Sequence, residues 1–157
     1  MSQSRILKAI LHAPVYLYRW RLGWLAGKRF LLLTHTGRRT GRPRQVILEV
    51  MDYREPISEA IVMSGFGRNS DWLLNIEAHP DPEVQIGSRR FVASFRFVET
   101  AEAVAVVQKY EQQNWYLLPV VHYVLGRLLG WKYRGTDENR RRLVTQLPLI
   151  GFRPRAR

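Results

Sequence analysis

The stretch FLLLTHTGRRTGRPRQVILEVMDY, residues 30–53, reads as two strands joined by a basic turn. Phe30 to Thr36 is a near-continuous apolar run, the pattern of a strand buried on both faces. Arg44 to Tyr53 is β-branched and alternating enough for a second strand. Between them, in the turn at 37–43, Gly37 and Gly41 tolerate positive φ and let backbone N–H groups approach a ligand closely. Arg38, Arg39, Arg42 and Arg44 fall within seven residues and supply forked donors for a phosphate or carboxylate. Thr40 adds a hydroxyl. Such a turn can cradle a multiply charged anion, each charged contact contributing about 1.5–3 kcal/mol. The residues alone also allow a solvated basic hairpin turn. The spacing is neither the G-x-x-x-x-G-K-[ST] of a phosphate loop nor a GxGxxG dinucleotide fingerprint in a βαβ unit.

Outward from this hairpin, Arg54 to Ser58, with Pro56, reads as a turn, and Glu59 to Ser64 as a third strand. Gly65-Phe66-Gly67-Arg68 forms a loop, and Asn69 or Ser70 caps a short helix from Asp71 to near Pro80. Val84–Ile86 and Arg90–Val98 form a hairpin around Gly87-Ser88. Phe91, Ala93, Phe95 and Phe97 share one face of its second strand. Ala103, Val106, Val107 and Tyr110 keep helical spacing. A second helix covers about 117–129, and a third, capped by Thr136, runs to about Gln146. Leu147–Phe152 is the expected final strand. On the other side, residues 4–26 read as an amphipathic helix kinked at Pro14 and ended by Gly27. Five or six strands in hairpin-like order with helices inserted or appended predict a small antiparallel barrel of the α+β class. No repeat or linker divides the 157 residues, so they read as one domain: an N-terminal helix over 1–27, a barrel core over 28–98, and helices with a final strand over 99–157.

Composition narrows the chemistry. The chain has no cysteine, which removes disulfides, thiolate nucleophiles and cysteine-ligated metals together. His12, His35, His79 and His122 are scattered, and no metal site is expected. No apolar run reaches 18 residues, and the first residues lack the continuous apolar region of a signal peptide. A cytoplasmic location is expected. The net charge of +12 attracts phosphates, nucleic acids or anionic membranes without choosing among them. No basic strand face carries interleaved aromatics and no DNA-reading motif is present, so nucleic acid is not the expected partner.

The strand and turn LLLTHTGRRTGRPR, followed by SGFGRNSDWLLNIEAHPDPEVQIGSRRF, resemble the deazaflavin-dependent nitroreductase family. Its pattern is a strand ending in T-x-G-R-[RK]-[ST]-G-x-x-R. A strand ending in Ser-Gly, a W-x-x-N helix and a V-x-V-G-x-x-x-F hairpin follow. The likeness covers about residues 30–98. It implies a split β-barrel of the FMN-binding type, binding coenzyme F(420), an 8-hydroxy-5-deazaflavin with a phosphate and a polyglutamate tail, and reducing quinones, nitroaromatics or related acceptors. FMN is the alternative cofactor. The resemblance assigns the anionic tail to Thr36, Gly37, Arg38, Arg39, Thr40, Gly41 and Arg44. It sets the loop of Ser64, Gly65 and Arg68, with Trp72 and Asn75 of the following helix, beside the ring. A homodimer is expected on the same grounds.

No nucleophile–base pair or other catalytic motif is legible, as expected where a cofactor carries the chemistry. Tyr110, Tyr116, Tyr123 and Tyr133 are candidate proton donors, each more simply read as structural, and no catalytic residue is assigned. Trp72 reads foremost as core. WYLLPVVHYVLGRLLGW, residues 115–131, reads foremost as an appended helix packed on the core. A pocket wall for an apolar acceptor, or contact with an anionic membrane, is its other reading. The run Arg140–Arg142 reads as a solvated helix face.

Overall fold

The computed structural model describes residues 27–156, so the helix expected over 4–26 lies outside the described residues. Six strands are present among the described residues: β1 (Phe30–Thr36), β2 (Pro43–Arg54), β3 (Glu59–Met63), β4 (Glu83–Ile86), β5 (Arg89–Phe97) and β6 (Leu149–Pro154). They close into an antiparallel barrel in the order β1-β2-β3-β6-β5-β4. Helix α1 (Asp71–Ala78) lies between β3 and β4 in the chain. Helices α2 (Thr100–Gln113), α3 (Leu118–Leu129) and α4 (Asp137–Gln146) lie between β5 and β6. This is the α+β barrel expected.

The two-residue period of a strand sorts each side chain to one face. Leu31 and Leu33 join Val50, Ala60, Val62, Val84, Ile86, Ala93, Ile150 and Phe152 in one core cluster. Trp72, Leu73 and Ile76 of α1 belong to the same cluster, and the Trp72 and Phe152 rings lie 6.2 Å apart. Leu32, between Leu31 and Leu33, packs instead with Ile47 and Phe30, which is why β1 is apolar on both faces. Ile61 and Leu149 belong to a second cluster with Ala103, Val106 and Val107 of α2 and Leu143 and Val144 of α4.

The observed boundaries differ from expectation where backbone bonding intervenes. β3 stops at Met63: the Ser64 N–H still donates to Pro148 O at 2.9 Å, but proline has no N–H to return the ladder bond. β6 begins at Leu149 rather than Leu147, since the Leu147 N–H still closes the α4 helix onto Leu143 O. Between Val50 and Asp52 the β2–β3 register slips, placing a bulge at Met51. Thr136 caps α4 as expected, accepting from the Asn139 N–H at 3.1 Å. The expected cap of α1 does not form: the Ser70 hydroxyl turns back to Gly67 O at 3.0 Å.

Two expectations about charge and exposure are corrected. Arg140 is not on a solvated face. It donates to the buried Glu111 carboxylate at 3.0 and 2.7 Å, whose other oxygen accepts from Tyr133 OH. The aromatic face of 115–131 is not core either, for Trp115, Tyr116, Val120, Tyr123 and Val124 are exposed. Only part of the segment, chiefly Leu129, is buried.

One charged cluster ties the barrel to α2. Glu59 is fully buried and receives Arg96 through two bonds of 2.7 and 3.0 Å. Glu102 takes the remaining Arg96 donors at 3.0 and 2.7 Å and pairs with Arg54. A buried charge persists when its partner geometry is good and its lone pairs are filled. Here a Cβ on Gly151 would lie 2.6 Å from Glu59 Oε1, so the carboxylate occupies the place a side chain on β6 would need.

Candidate functional site

The turn joining β1 to β2 is closed from within. The Gly37 N–H donates to Arg42 O and the Gly41 N–H to Gly37 O, both at 2.8 Å. The glycines therefore spend their N–H groups on the turn itself rather than offering them to a ligand, contrary to the sequence expectation. Gly41 has φ +67°, a left-handed conformation that favours glycine. Gly37 is needed for space: a Cβ there would meet Thr40 Oγ1 at 2.7 Å and Arg44 Nε at 3.2 Å. Thr40 Oγ1 accepts from the Arg42 N–H at 3.3 Å.

What remains uncommitted is a set of donors. The N–H groups of Arg39 and Thr40 have no backbone partner among the described residues. The side chains of Arg39, Arg42 and Arg44 are exposed. The Arg39 and Arg42 guanidinium groups and two adjacent N–H groups of the turn, with Arg44 at the start of β2, are donors that could take a multiply charged anion. This chemistry fits a phosphorylated, carboxylate-bearing tail.

Arg38 has a different task. Its backbone N–H and its Nη1 both donate to Asn75 Oδ1, at 3.1 and 2.8 Å, and its Nη2 reaches Asp71 at 3.2 Å. The Asn75 Nδ2 in turn lies 3.0 Å from His35 Nδ1. Asn75 and His35 are both buried. Burial holds the His35 pKa below its ordinary value, with the Arg44 charge acting in the same direction and Asp71 opposing. Sequence reasoning placed Asn75 near the ring and left His35 among the scattered histidines. The signal that could have found His35 is its position two residues before the turn, on a strand whose partner in register is Arg44.

The second predicted constellation is a tight loop between β3 and α1. Ser64 is fully buried, with its hydroxyl at 2.6 Å from both Gly67 O and Ser70 Oγ. Its polar atoms thus hold the loop together. Gly67 adopts φ +79°. Arg68 is exposed and stacks over the Phe97 ring at 4.8 Å, while Phe66 projects outward. A Cβ on Gly65 would come within 3.8 Å of Leu128, so α3 flanks the loop. Thr36 closes β1 opposite Pro43. Trp72 sits in the core, as its simpler reading had it.

Among the candidate proton donors, Tyr110 OH donates to Glu49 at 2.8 Å and Tyr133 OH to Glu111. Burial first, and then these carboxylates, raise both hydroxyls above the ordinary tyrosine value. Neither gives up a proton readily. Tyr116 and Tyr123 are exposed. A groove of about 530 Å³ runs along α3, lined by His122, Tyr123, Gly126, Trp131 and Tyr133 among others.

Set beside known proteins, the chain matches a family model described as F(420)H(2)-dependent quinone reductase over residues 21–121. Similar solved structures include one described as a domain-swapped dimer. It is 17% identical, covering 80% of this chain and 81% of its own, with a TM-score of 0.50. A protein of unknown function from Agrobacterium tumefaciens is 13% identical, covering 87% of this chain and 53% of its own, with a TM-score of 0.51. An F(420)-H(2) dependent reductase, FDR-A, is 19% identical, covering 80% of this chain and 95% of its own, with a TM-score of 0.46. No curated protein matches the chain.

Proposed function

Because the chain belongs to the F(420)H(2)-dependent quinone reductase family, we propose that it is a deazaflavin-dependent oxidoreductase acting on a quinone, a nitroaromatic or a similar small acceptor. When bound in reduced form, coenzyme F(420) supplies a hydride. The observation that carries the reading is the uncommitted donor set of the β1–β2 turn. Arg39, Arg42 and Arg44, with the Arg39 and Thr40 N–H groups, hold the anionic tail, and arginine keeps its charge at every working pH. Arg38 and Asn75 set the orientation of the turn. Gly65 and Arg68 border the ring, Ser64 and Ser70 hold that loop in shape, and Trp72 supports it from the core. With Tyr110 and Tyr133 bonded to carboxylates, the proton that follows hydride comes from water or from the exposed Tyr116 or Tyr123.

The test is a titration of F(420) and FMN side by side, on wild type and on Arg39→Ala/Arg42→Ala. F(420) should bind at micromolar concentration, and the double variant should weaken it at least about tenfold, since each charged contact contributes about 1.5–3 kcal/mol. Reduced F(420) should then be consumed when a quinone is added. Absence of F(420) binding by wild type would sink the reading, and FMN binding alone would transfer it to the flavin.

The exposed face of α3 favours an added peripheral contact with an anionic membrane. Trp115, just before α3, and Tyr123 on it are 70% and 66% exposed, with Arg127 in the last turn of α3 and Lys132 just beyond its end. Aromatic and apolar residues beside cations suit a lipid interface. No helix among the described residues is long and apolar enough to cross a membrane. Co-sedimentation with anionic vesicles should be lost in Trp115→Glu/Tyr123→Glu and absent with neutral vesicles. A homodimer, as in the structure described as domain-swapped, is tested by light scattering.

A further inference from the structure

We propose that His35 is a positioning residue for the anion-holding turn, acting through Asn75 and Arg38, and that only its neutral form with the proton on Nε2 keeps the turn in place. This rests on the reading of the turn as an anion site.

The hydrogen-bond chain fixes every donor and acceptor. Asn75 Oδ1 receives two donors from Arg38, at 3.1 and 2.8 Å, so the amide cannot be reversed without facing donor against donor. Its Nδ2 therefore donates to His35 Nδ1 at 3.0 Å, which must carry a lone pair. A second proton on the ring would sit on Nδ1 and face the Asn75 N–H at that distance. The amide would have to turn away, and Arg38 would lose both bonds to Asn75 Oδ1, keeping only its Asp71 contact on α1.

The surroundings favour the neutral ring. His35 is buried, and Arg44 stands opposite it across β1–β2, on the side that also carries Arg38. Asp71 of α1 is the acid facing it, and that carboxylate accepts from Arg38. On the β4 side, Glu83 stands opposite Thr34 and is paired with Arg90. Asp71 is therefore the acid that favours an imidazolium, and burial and the Arg44 charge each outweigh it. The consequence has an unusual sign. Adding a proton to His35 adds positive charge near an anion site, yet anion affinity should fall because the geometry is lost.

The test uses ¹⁵N NMR on the full chain with inorganic sulfate as the probe, whose charge is constant across the working pH range. At neutral pH the His35 ring should show the Nε2–H tautomer. On acidification the Arg38 amide signal should move with the His35 midpoint. Sulfate affinity, read at the Arg39 and Thr40 amides, should fall about fivefold in wild type, the factor for one lost hydrogen bond. His35→Asn, whose Oδ1 can accept from Asn75 and does not titrate, should keep a constant affinity. His35→Leu should be weakened by a similar factor at every pH. An Nδ1–H tautomer, an affinity that rises as His35 gains its proton, a His35→Asn variant that tracks wild type, or no sulfate response at any pH would overturn the proposal. Failure of F(420) to bind while sulfate behaves as described removes the cofactor reading alone.

Discussion

Replacing Gly37 by alanine should damage cofactor binding more than folding. The added Cβ would lie 2.7 Å from Thr40 Oγ1, 3.2 Å from Arg44 Nε and 3.4 Å from Arg42 O. To reach ordinary contact the threonine hydroxyl must retreat by about 0.7 Å, which ends its bond of 3.3 Å with the Arg42 N–H. Arg44 is pushed from the turn at the same time. Displacing Arg44 costs one charged contact with the cofactor, about 2 kcal/mol or roughly 30-fold in the Kd for F(420), whereas the broken bond between Thr40 and Arg42 costs the fold about 1 kcal/mol or less. The assay is a cofactor titration paired with a urea midpoint, which should fall only slightly because that bond lies in an exposed turn. Gly41→Ala is the contrast. Nothing lies within 4 Å of its Cβ, but φ is +67°, so its cost of about 1 kcal/mol is backbone strain. Gly37→Ala/Thr40→Ala should recover part of the affinity that Gly37→Ala alone loses. A Gly37→Ala protein binding within twofold of wild type, or one less impaired than Gly41→Ala, would refute the steric argument.

Gly151→Ala should cost about 2–4 kcal/mol of stability, because the Cβ displaces a buried carboxylate from a bidentate arginine. In a Glu59→Ala background the same change should cost under about 1 kcal/mol, a coupling that urea unfolding of the four proteins measures. Acid should weaken the same cluster. Hydrogen bonds from Arg96, with burial opposing and Arg54 adding, lower the Glu102 pKa from 4.5 to about 2. A depressed carboxylate contributes stability above its unfolded value and loses it as pH falls toward the folded one. About 1–2 kcal/mol should therefore disappear between pH 4.5 and 2, after allowing for screening at a side chain that is partly exposed. Glu102→Gln should flatten that part of the unfolding profile.

Much of this protein is legible residue by residue. The apolar run 30–36, the broken basic turn and the alternation of β5 depend on neighbours close in the chain, and period and turn chemistry report those directly. The element order was readable for the same reason, as was the helix capped by Thr136. The turn proposed to hold an anion was recognisable as a basic, glycine-bearing turn from the sequence, because both its flexibility and its charge are properties of the residues themselves.

Tertiary structure alone decided who spends which donor. Gly37 and Gly41 turned out to close the turn, leaving the Arg39 and Thr40 N–H groups without a backbone partner among the described residues, since a backbone bond depends on dihedral angles that composition does not reveal. Asn75 lies 37 residues from Arg38 and 40 from His35, and only the packing of α1 on β1 brings the three together. Arg140 and Arg142 look alike in the sequence, yet α4 turns the first inward to Glu111 and leaves the second outside, stacked on Trp131. The insertion of β6 between β3 and β5 likewise had no local sign. Local pattern determines which elements form, whereas long-range pairing determines which polar atoms remain free, and it is on the free ones that the proposed site rests.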